Sequence, residues 1–176
     1  MQSKKLDYGV IDDFLPVDEF KFLQELLLPS KSVGETPVGF VYVPSVTFEE
    51  KGTEEDWRLF NLSHLVYEHT ILSPFVYKQI EPINDLLGIR SLIRIKINMF
   101  PNTLELAEHG MHIDYDFPHK TALFSINTCN GYTKLEDGTK IDSVANRMLI
   151  FDGRINHTSS TCTNQPVRVN INFNYF

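Results

Sequence analysis

Hydrophobic positions follow two different periods along this chain, and the change comes at Arg90. Before it, residues 8–16 alternate briefly and stop at Pro16, which predicts a short strand running into a turn. Phe20, Phe22, Leu23, Leu26, Leu27 and Leu28 then recur at near-helical spacing. Asp18 and Glu19 precede them, where carboxylates suit a helix N-terminus. Residues 31–56 hold Gly34, Pro37, Gly39, Pro44 and Gly52 around the apolar run 40–43, the pattern of loop, strand and loop. Residues 63–70 and 74–87 predict two further helices, the second ending at Gly88.

From Arg90 onward short β-type runs follow one another: 92–100, 109–115, 121–128, 131–135, 139–142, 147–151, 156–161 and 167–175. Turn chemistry separates them at Pro101-Asn102, Phe117-Pro118, Asn130-Gly131, Asp137-Gly138, Asp152-Gly153 and Gln165-Pro166. About eight strands at such spacing predict a sandwich or jelly-roll barrel rather than a βαβ sheet. The chain therefore reads as one mainly β domain, residues 1–176, with residues 1–90 as helical support and residues 91–176 as the core. In the last run Arg168, Asn170, Asn172 and Asn174 alternate with Val169, Ile171, Phe173 and Tyr175. A polar row facing into a barrel mouth would be a site; facing solvent, it would be only a surface.

The 176 residues include 16 basic and 23 acidic ones, a formal charge of −7, and most of it lies in residues 1–60. A protein that grips phosphate backbones mainly by charge should be basic, so general nucleic-acid binding is disfavoured. No run approaches the roughly 20 apolar residues that span a bilayer, and the first residues do not read as a signal peptide. Cys129 and Cys162 are too few for a disulfide framework and suit a reducing, cytoplasmic setting.

Chemistry enters with His112-Ile113-Asp114. On a strand, residues i and i+2 share a face, so this imidazole and carboxylate can meet one metal ion from the same side. His157, which follows the turn at Asp152-Gly153, is the best candidate for a second imidazole. Two His and one Asp on one face leave the opposite positions open, an arrangement suited to non-haem Fe(II) handling O2. His-x-Asp by itself is weak, since an ordinary hydrogen-bonded strand histidine explains His112 equally well. Arg168 follows His157 by eleven residues. A buried arginine needs an anion, and its planar fork suits a carboxylate; an edge-strand surface arginine is the plainer alternative.

Taken together, these motifs resemble a small Fe(II)- and 2-oxoglutarate-dependent dioxygenase of the prolyl 4-hydroxylase-like group, in the compact form that bacteria and bacteriophages encode. The resemblance covers residues 94–176 best and is weaker at Val10-Ile-Asp-Asp-Phe-Leu-Pro-Val-Asp-Glu-Phe20. It implies a double-stranded β-helix (jelly-roll, cupin-like) core, with His112, Asp114 and His157 as iron ligands and Arg168 on the distal carboxylate of 2-oxoglutarate. It also implies O2 as a substrate and ascorbate as a reductant. Ser125 stands where the group often has a tyrosine for that carboxylate, and Phe100-Pro101-Asn102 replaces a Tyr-Pro-Gly-like turn. Asn98, Tyr132, Thr121 and Thr128 are the candidate substitutes. An aspartate at the ligand position, rather than Ala or Gly, points to hydroxylation instead of halogenation.

The expected activity is therefore hydroxylation of a C–H bond, with a peptidyl prolyl residue as the substrate the resemblance suggests. Such an enzyme from a phage would work in the host cytoplasm. Tyr115, Asp116 and His119 are expected near the substrate, and Arg94, Arg154 and Asn156 at either the entrance or the solvent surface. Residues 31–60, with Glu49, Glu50, Glu54, Glu55 and Asp56, would form a cover that repels a polyanion and accepts a neutral or basic peptide; Trp57 would anchor it. His109, His64 and His69 are expected to be structural. Two other readings stand beside this one: a dioxygenase for a free amino acid, small metabolite or nucleobase, and a non-enzymatic cupin-like module binding Zn. Repair dealkylases end in Arg-x-Asn-x-Thr-x-Arg, and Arg168-Val-Asn-Ile-Asn-Phe-Asn174 lacks the last arginine.

Overall fold

The computed structural model describes residues 6–29, 37–44 and 59–176. Its elements are β1 (Tyr8–Ile11), α1 (Val17–Leu27), β2 (Val41–Val43), β3 (Asn61–Glu68), β4 (Thr70–Ile71), α2 (Pro74–Leu87), β5 (Leu92–Pro101), β6 (Lys120–Ser125), β7 (Tyr132–Leu135), β8 (Lys140–Asp142), β9 (Arg147–Asp152), β10 (His157–Ser159) and β11 (Val167–Tyr175). A large antiparallel sheet runs β1-β9-β6-β11-β5-β3-β2, with β4 attached to β3, and a small one runs β10-β7-β8. No helix among the described residues is long and apolar enough to cross a membrane. The expected cover, residues 31–60 with Trp57 and its acidic run, lies mostly outside the described residues.

Strand β11 organises the molecule because it is buried on both faces. Val169, Ile171 and Phe173 point outward into a core with Phe20, Leu23, Leu26 and Leu27 of α1 and Val76, Ile80 and Ile83 of α2. Leu27 and Ile80 lose all exposure; burying such a side chain contributes roughly 1.5–3 kcal/mol, which is why the two apolar stripes dock. Phe22 sits off the α1 stripe and stays exposed. Gly88 closes α2 in the left-handed region, φ 64°, as its position in the sequence predicts. Asn146, also left-handed at φ 63°, accepts a hydrogen bond from Leu15 N at 2.9 Å and donates to Leu15 O at 2.8 Å. It thereby ties the entry to α1 onto the start of β9.

The opposite face of β11 looks between the two sheets. Arg168, Asn170, Asn172 and Asn174 are all buried there, so the polar row faces inward. Register places Phe100, Asn98, Lys96 and Arg94 of β5 directly opposite these four. One half of this interior is apolar, with Leu123, Leu135, Ile141, Leu149 and Phe151 in contact. The other half is polar and holds the residues of interest.

Two elements depart from the sequence expectation. Residues 63–70 form most of β3 and its turn, not a helix. A register shift between Leu65 and Tyr67 breaks the two-residue alternation, and the resulting spacing of Leu62, Leu65 and Val66 imitates a helical stripe. Among the described residues of the first 90, the α-helices are α1 and α2, while β1, β2, β3 and β4 extend the large sheet. Residues 109–115 form no continuous strand; this segment touches its neighbours through isolated bridges, His112 with His157 and, just before it, Glu108 with Ser160.

Candidate metal centre

The bridge between His112 and His157 brings the two imidazoles together. Each residue donates its N–H to the other's carbonyl at 2.9 Å. Directly opposed residues of an antiparallel pair project to the same side, and the ring centroids lie 4.7 Å apart. Asp114 follows two residues later. One ligand atom from each of His112, Asp114 and His157 falls within 4.8 Å of the others.

Local hydrogen bonds fix which atoms are offered. His112 Nδ1 lies 3.0 Å from Gly110 O, and His157 Nδ1 lies 3.1 Å from Ile155 O. A carbonyl only accepts, so both Nδ1 atoms carry the proton and both Nε2 lone pairs remain for a metal. Burial lowers the pKa of His157 to about 4 against the pull of Asp114, so the ring is neutral at pH 7, as a ligand must be. Burial also opposes ionisation of Asp114. The Arg94 guanidinium, His157 and the amides of Asn172 and Asn174 outweigh it and hold the carboxyl below the usual range. Arg94 donates to Oδ1 at 2.8 Å, Asn172 to Oδ2 at 3.0 Å and Asn174 to Oδ2 at 2.9 Å. An anion fixed from three sides beside two imidazoles that offer Nε2 fits a divalent metal ion with open positions.

A cavity runs from this cluster past Asn98, Phe100 and Asn170 to Thr133. Behind Thr133 lies Arg168, 2% exposed. Its Nη2 donates to Thr133 Oγ1 at 3.0 Å and its Nη1 to Ser160 O at 3.1 Å, while Nε has no partner. The guanidinium carbon sits 5.4 Å from the Phe100 ring centroid, and Gly131 lets the side chain pass, since a Cβ there would lie 2.7 Å from Arg168 Cδ. No carboxylate among the described residues pairs with this buried cation, and burial lowers its pKa to about 10. Such a charge is costly without an anion. Cys129 and Cys162, buried and unbridged, are charge-capable groups that act on it.

The other expected residues distribute unevenly. Asn98 lines the cavity, whereas Ser125 and Tyr132 do not. Ser125 is opposite Asn170 in the sheet; the Tyr132 hydroxyl donates to Glu108 Oε1 at 2.6 Å, away from Arg168. Thr121 and Thr128 are likewise committed, accepting from Asn174 and from Ala145 N. Tyr115 stacks under Arg94, 5.3 Å from its ring centroid, and Asp116 is exposed on the adjoining turn. His119 is buried rather than at a rim: it packs on Gly153, where a Cβ would approach within 2.1 Å. His109 stacks on Phe100 at 5.1 Å and stays out of the ligand cluster. Arg154 turns back to Asp152 and Asn156 to Glu136.

Three groups were not foreseen. Thr133 supplies the hydroxyl that meets Arg168; its signal was its place next to Tyr132, on the opposite face of β7. Arg94 is bonded to Asp114 instead of marking an entrance. Lys96 lines the cavity on the same face of β5; burial and then Arg94 bring its pKa down to about 8, against Asp114 and Glu68.

No protein-family model matches the chain, and no curated protein matches it in sequence. Solved structures do. A prolyl hydroxylase from Trichoplax adhaerens, in complex with a hypoxia inducible factor peptide, superposes with a TM-score of 0.62 at 17% identity, covering 96% of this chain and 83% of that one. A 2OG-Fe(II) oxygenase family oxidoreductase from Burkholderia pseudomallei gives 0.64 at 11%, covering 96% and 84%. The non-heme alpha ketoglutarate dependent epimerase SnoN from nogalamycin biosynthesis gives 0.63 at 13%, covering 97% and 78%. Sheet order, inward polar row and these superpositions agree: the chain has the double-stranded β-helix fold of the Fe(II)- and 2-oxoglutarate-dependent oxygenases.

Proposed function

We propose that the protein is an Fe(II)- and 2-oxoglutarate-dependent dioxygenase that hydroxylates a C–H bond, with a peptidyl prolyl residue as substrate. The observation that carries this reading is one cavity that runs from a His-Asp-His cluster to Thr133, whose hydroxyl meets a buried arginine with no carboxylate partner among the described residues. Iron(II) there would couple oxidation of 2-oxoglutarate to succinate and CO2 with insertion of oxygen into the substrate.

The chain's own residues would do the rest. His112 and His157 present Nε2 because backbone carbonyls hold their Nδ1 protons. Asp114 stays ionised and oriented through Arg94, Asn172 and Asn174. Arg168 and Thr133 would receive the distal carboxylate of 2-oxoglutarate, the cation recovering in the complex the partner it lacks within the chain. The apolar wall around Leu123, Leu149 and Phe151 keeps one side of the site dry, which protects a reactive oxidant from water. A reducing cytoplasm suits the two unbridged cysteines, Cys129 and Cys162.

The peptidyl preference draws support from the peptide held by the Trichoplax neighbour; the epimerase neighbour, from nogalamycin biosynthesis, makes a small-molecule substrate the competing case. Iron- and ascorbate-supplemented protein should form succinate from 2-oxoglutarate, and His112→Ala and Asp114→Ala should abolish both that turnover and iron binding. Succinate formation retained in both variants sinks the assignment. Mass spectrometry of peptide libraries should then find a gain of one oxygen atom on proline; products confined to free metabolites would overturn the peptide preference.

A further inference from the structure

The cavity is lined by a cation that the reading above does not use. Lys96 lies on β5 opposite Asn172, whose amide is bonded to Asp114, and both line the cavity between the ligand cluster and Asn98. Its ammonium group has no hydrogen-bond or ion-pair partner among the described residues; Asp114 and Glu68 act on it only from longer range.

Charge matching shows what this position needs. Arg94 already neutralises Asp114 at 2.8 Å, so a divalent metal ion at the cluster would sit beside Lys96 with little anionic charge between them. Two cations in one partly buried cavity repel strongly, and a carboxylate shared by both removes the repulsion. A primary substrate with its own carboxylate would offer the same chemistry. The placement beside the metal cluster favours the cosubstrate, which must enter that space before any substrate is transformed.

We propose that Lys96 binds the carboxylate adjacent to the keto group of 2-oxoglutarate, so that the cavity holds the dicarboxylate by a cation at each end, Lys96 and Arg168. This rests on the dioxygenase reading, and the experiment keeps the two separable. The full chain is loaded with Mn(II), so that binding is read without turnover. It is titrated with 2-oxoglutarate, with 2-oxobutanoate (which lacks the distal carboxylate) and with 4-oxopentanoate (which lacks the inner one). Dissociation constants come from the change in water-proton relaxation.

Lys96→Met should weaken 2-oxoglutarate and 2-oxobutanoate by about tenfold or more, the size expected for losing one charge-assisted contact. It should leave 4-oxopentanoate within about twofold and Mn(II) bound at least as tightly as in wild type. Arg168→Met should show the converse pattern, and Lys96→Arg should restore most of the loss. A Lys96→Met protein that binds 2-oxobutanoate like wild type assigns Lys96 elsewhere and overturns the proposal while the dioxygenase reading stands. Equal weakening of all three ligands overturns it too, since that marks general damage to the pocket. A wild-type protein that binds Mn(II) but not 2-oxoglutarate overturns both.

Discussion

Replacing Arg168 by Met tests whether the buried cation exists for a ligand or for the fold. Met matches the arginine stem as far as Nε, so it fills the space beside Gly131 without charge and leaves only the guanidinium position by Phe100 empty. In the free protein the change removes two hydrogen bonds, to Ser160 O and Thr133 Oγ1, each worth roughly 1.5–3 kcal/mol when the donor is charged. It also removes a desolvated guanidinium, a gain of comparable size. The two largely offset, and the free variant should melt within a few degrees of wild type. With ligand the outcome differs. At a 2-oxoglutarate concentration one hundred times its Kd, wild type gains about 2.7 kcal/mol, or about 5–11 °C in Tm for a chain of this size. Loss of a bidentate carboxylate contact costs about 3 kcal/mol, roughly 150-fold in Kd. At the same concentration the variant would then gain only about 0.3 kcal/mol, about 1 °C. Scanning calorimetry of the Mn(II)-loaded proteins, with and without 2-oxoglutarate, reads both differences. A variant stabilised by 2-oxoglutarate as much as wild type would show that Arg168 serves structure alone.

Gly131→Ala should act on the same cation from behind, because its Cβ would lie 2.6 Å from Thr161 O and 2.7 Å from Arg168 Cδ. An overpacking cost of about 1–3 kcal/mol and weaker 2-oxoglutarate binding are expected; Gly9→Ala, with nothing within 4 Å, is the silent control, and equal melting of the two variants would contradict the packing argument. Asn146→Ala loses both bonds to Leu15 and keeps a left-handed backbone at φ 63°, so chemical denaturation should show a loss of about 2 kcal/mol or more. His109 has its pKa lowered to about 4, chiefly by burial. Its folded value lies below its unfolded one, so its contribution is full above the unfolded value of about 6.5 and fades as pH falls toward 4. Relative to His109→Gln, wild type should lose up to about 3 kcal/mol across that window; parallel stability-pH curves would refute it.

The parts of the site that could be read in advance are those where a side chain's direction follows from its own strand. The alternation in residues 167–175 marks a strand with one polar face, and burial of that whole face turns it from a surface into a site wall. The pairing of His112 with Asp114 was legible for a reason that does not hold: residues 109–115 are not a strand, and their common direction comes from the two-bond bridge to His157 and from the amides that hold Asp114. Spacing can suggest such a motif but cannot reveal what orients it. Thr133 and Lys96 were out of reach because each depends on a second element. Thr133 meets Arg168 only once the small sheet lies over the large one, and Tyr132, the more conspicuous neighbour, spends its hydroxyl on Glu108. Lys96 looks like an ordinary strand lysine until register places it opposite Asn172, one bond from Asp114. Burying four consecutive same-face polar residues of β11 is unfavourable for the fold taken alone. Two of them end on Asp114, and a third carries a charge without an anion. Under the proposed function that unfavourable burial would serve a metal ion and a dicarboxylate, which is why the row's polarity, and not its strand propensity, is the informative feature of the sequence.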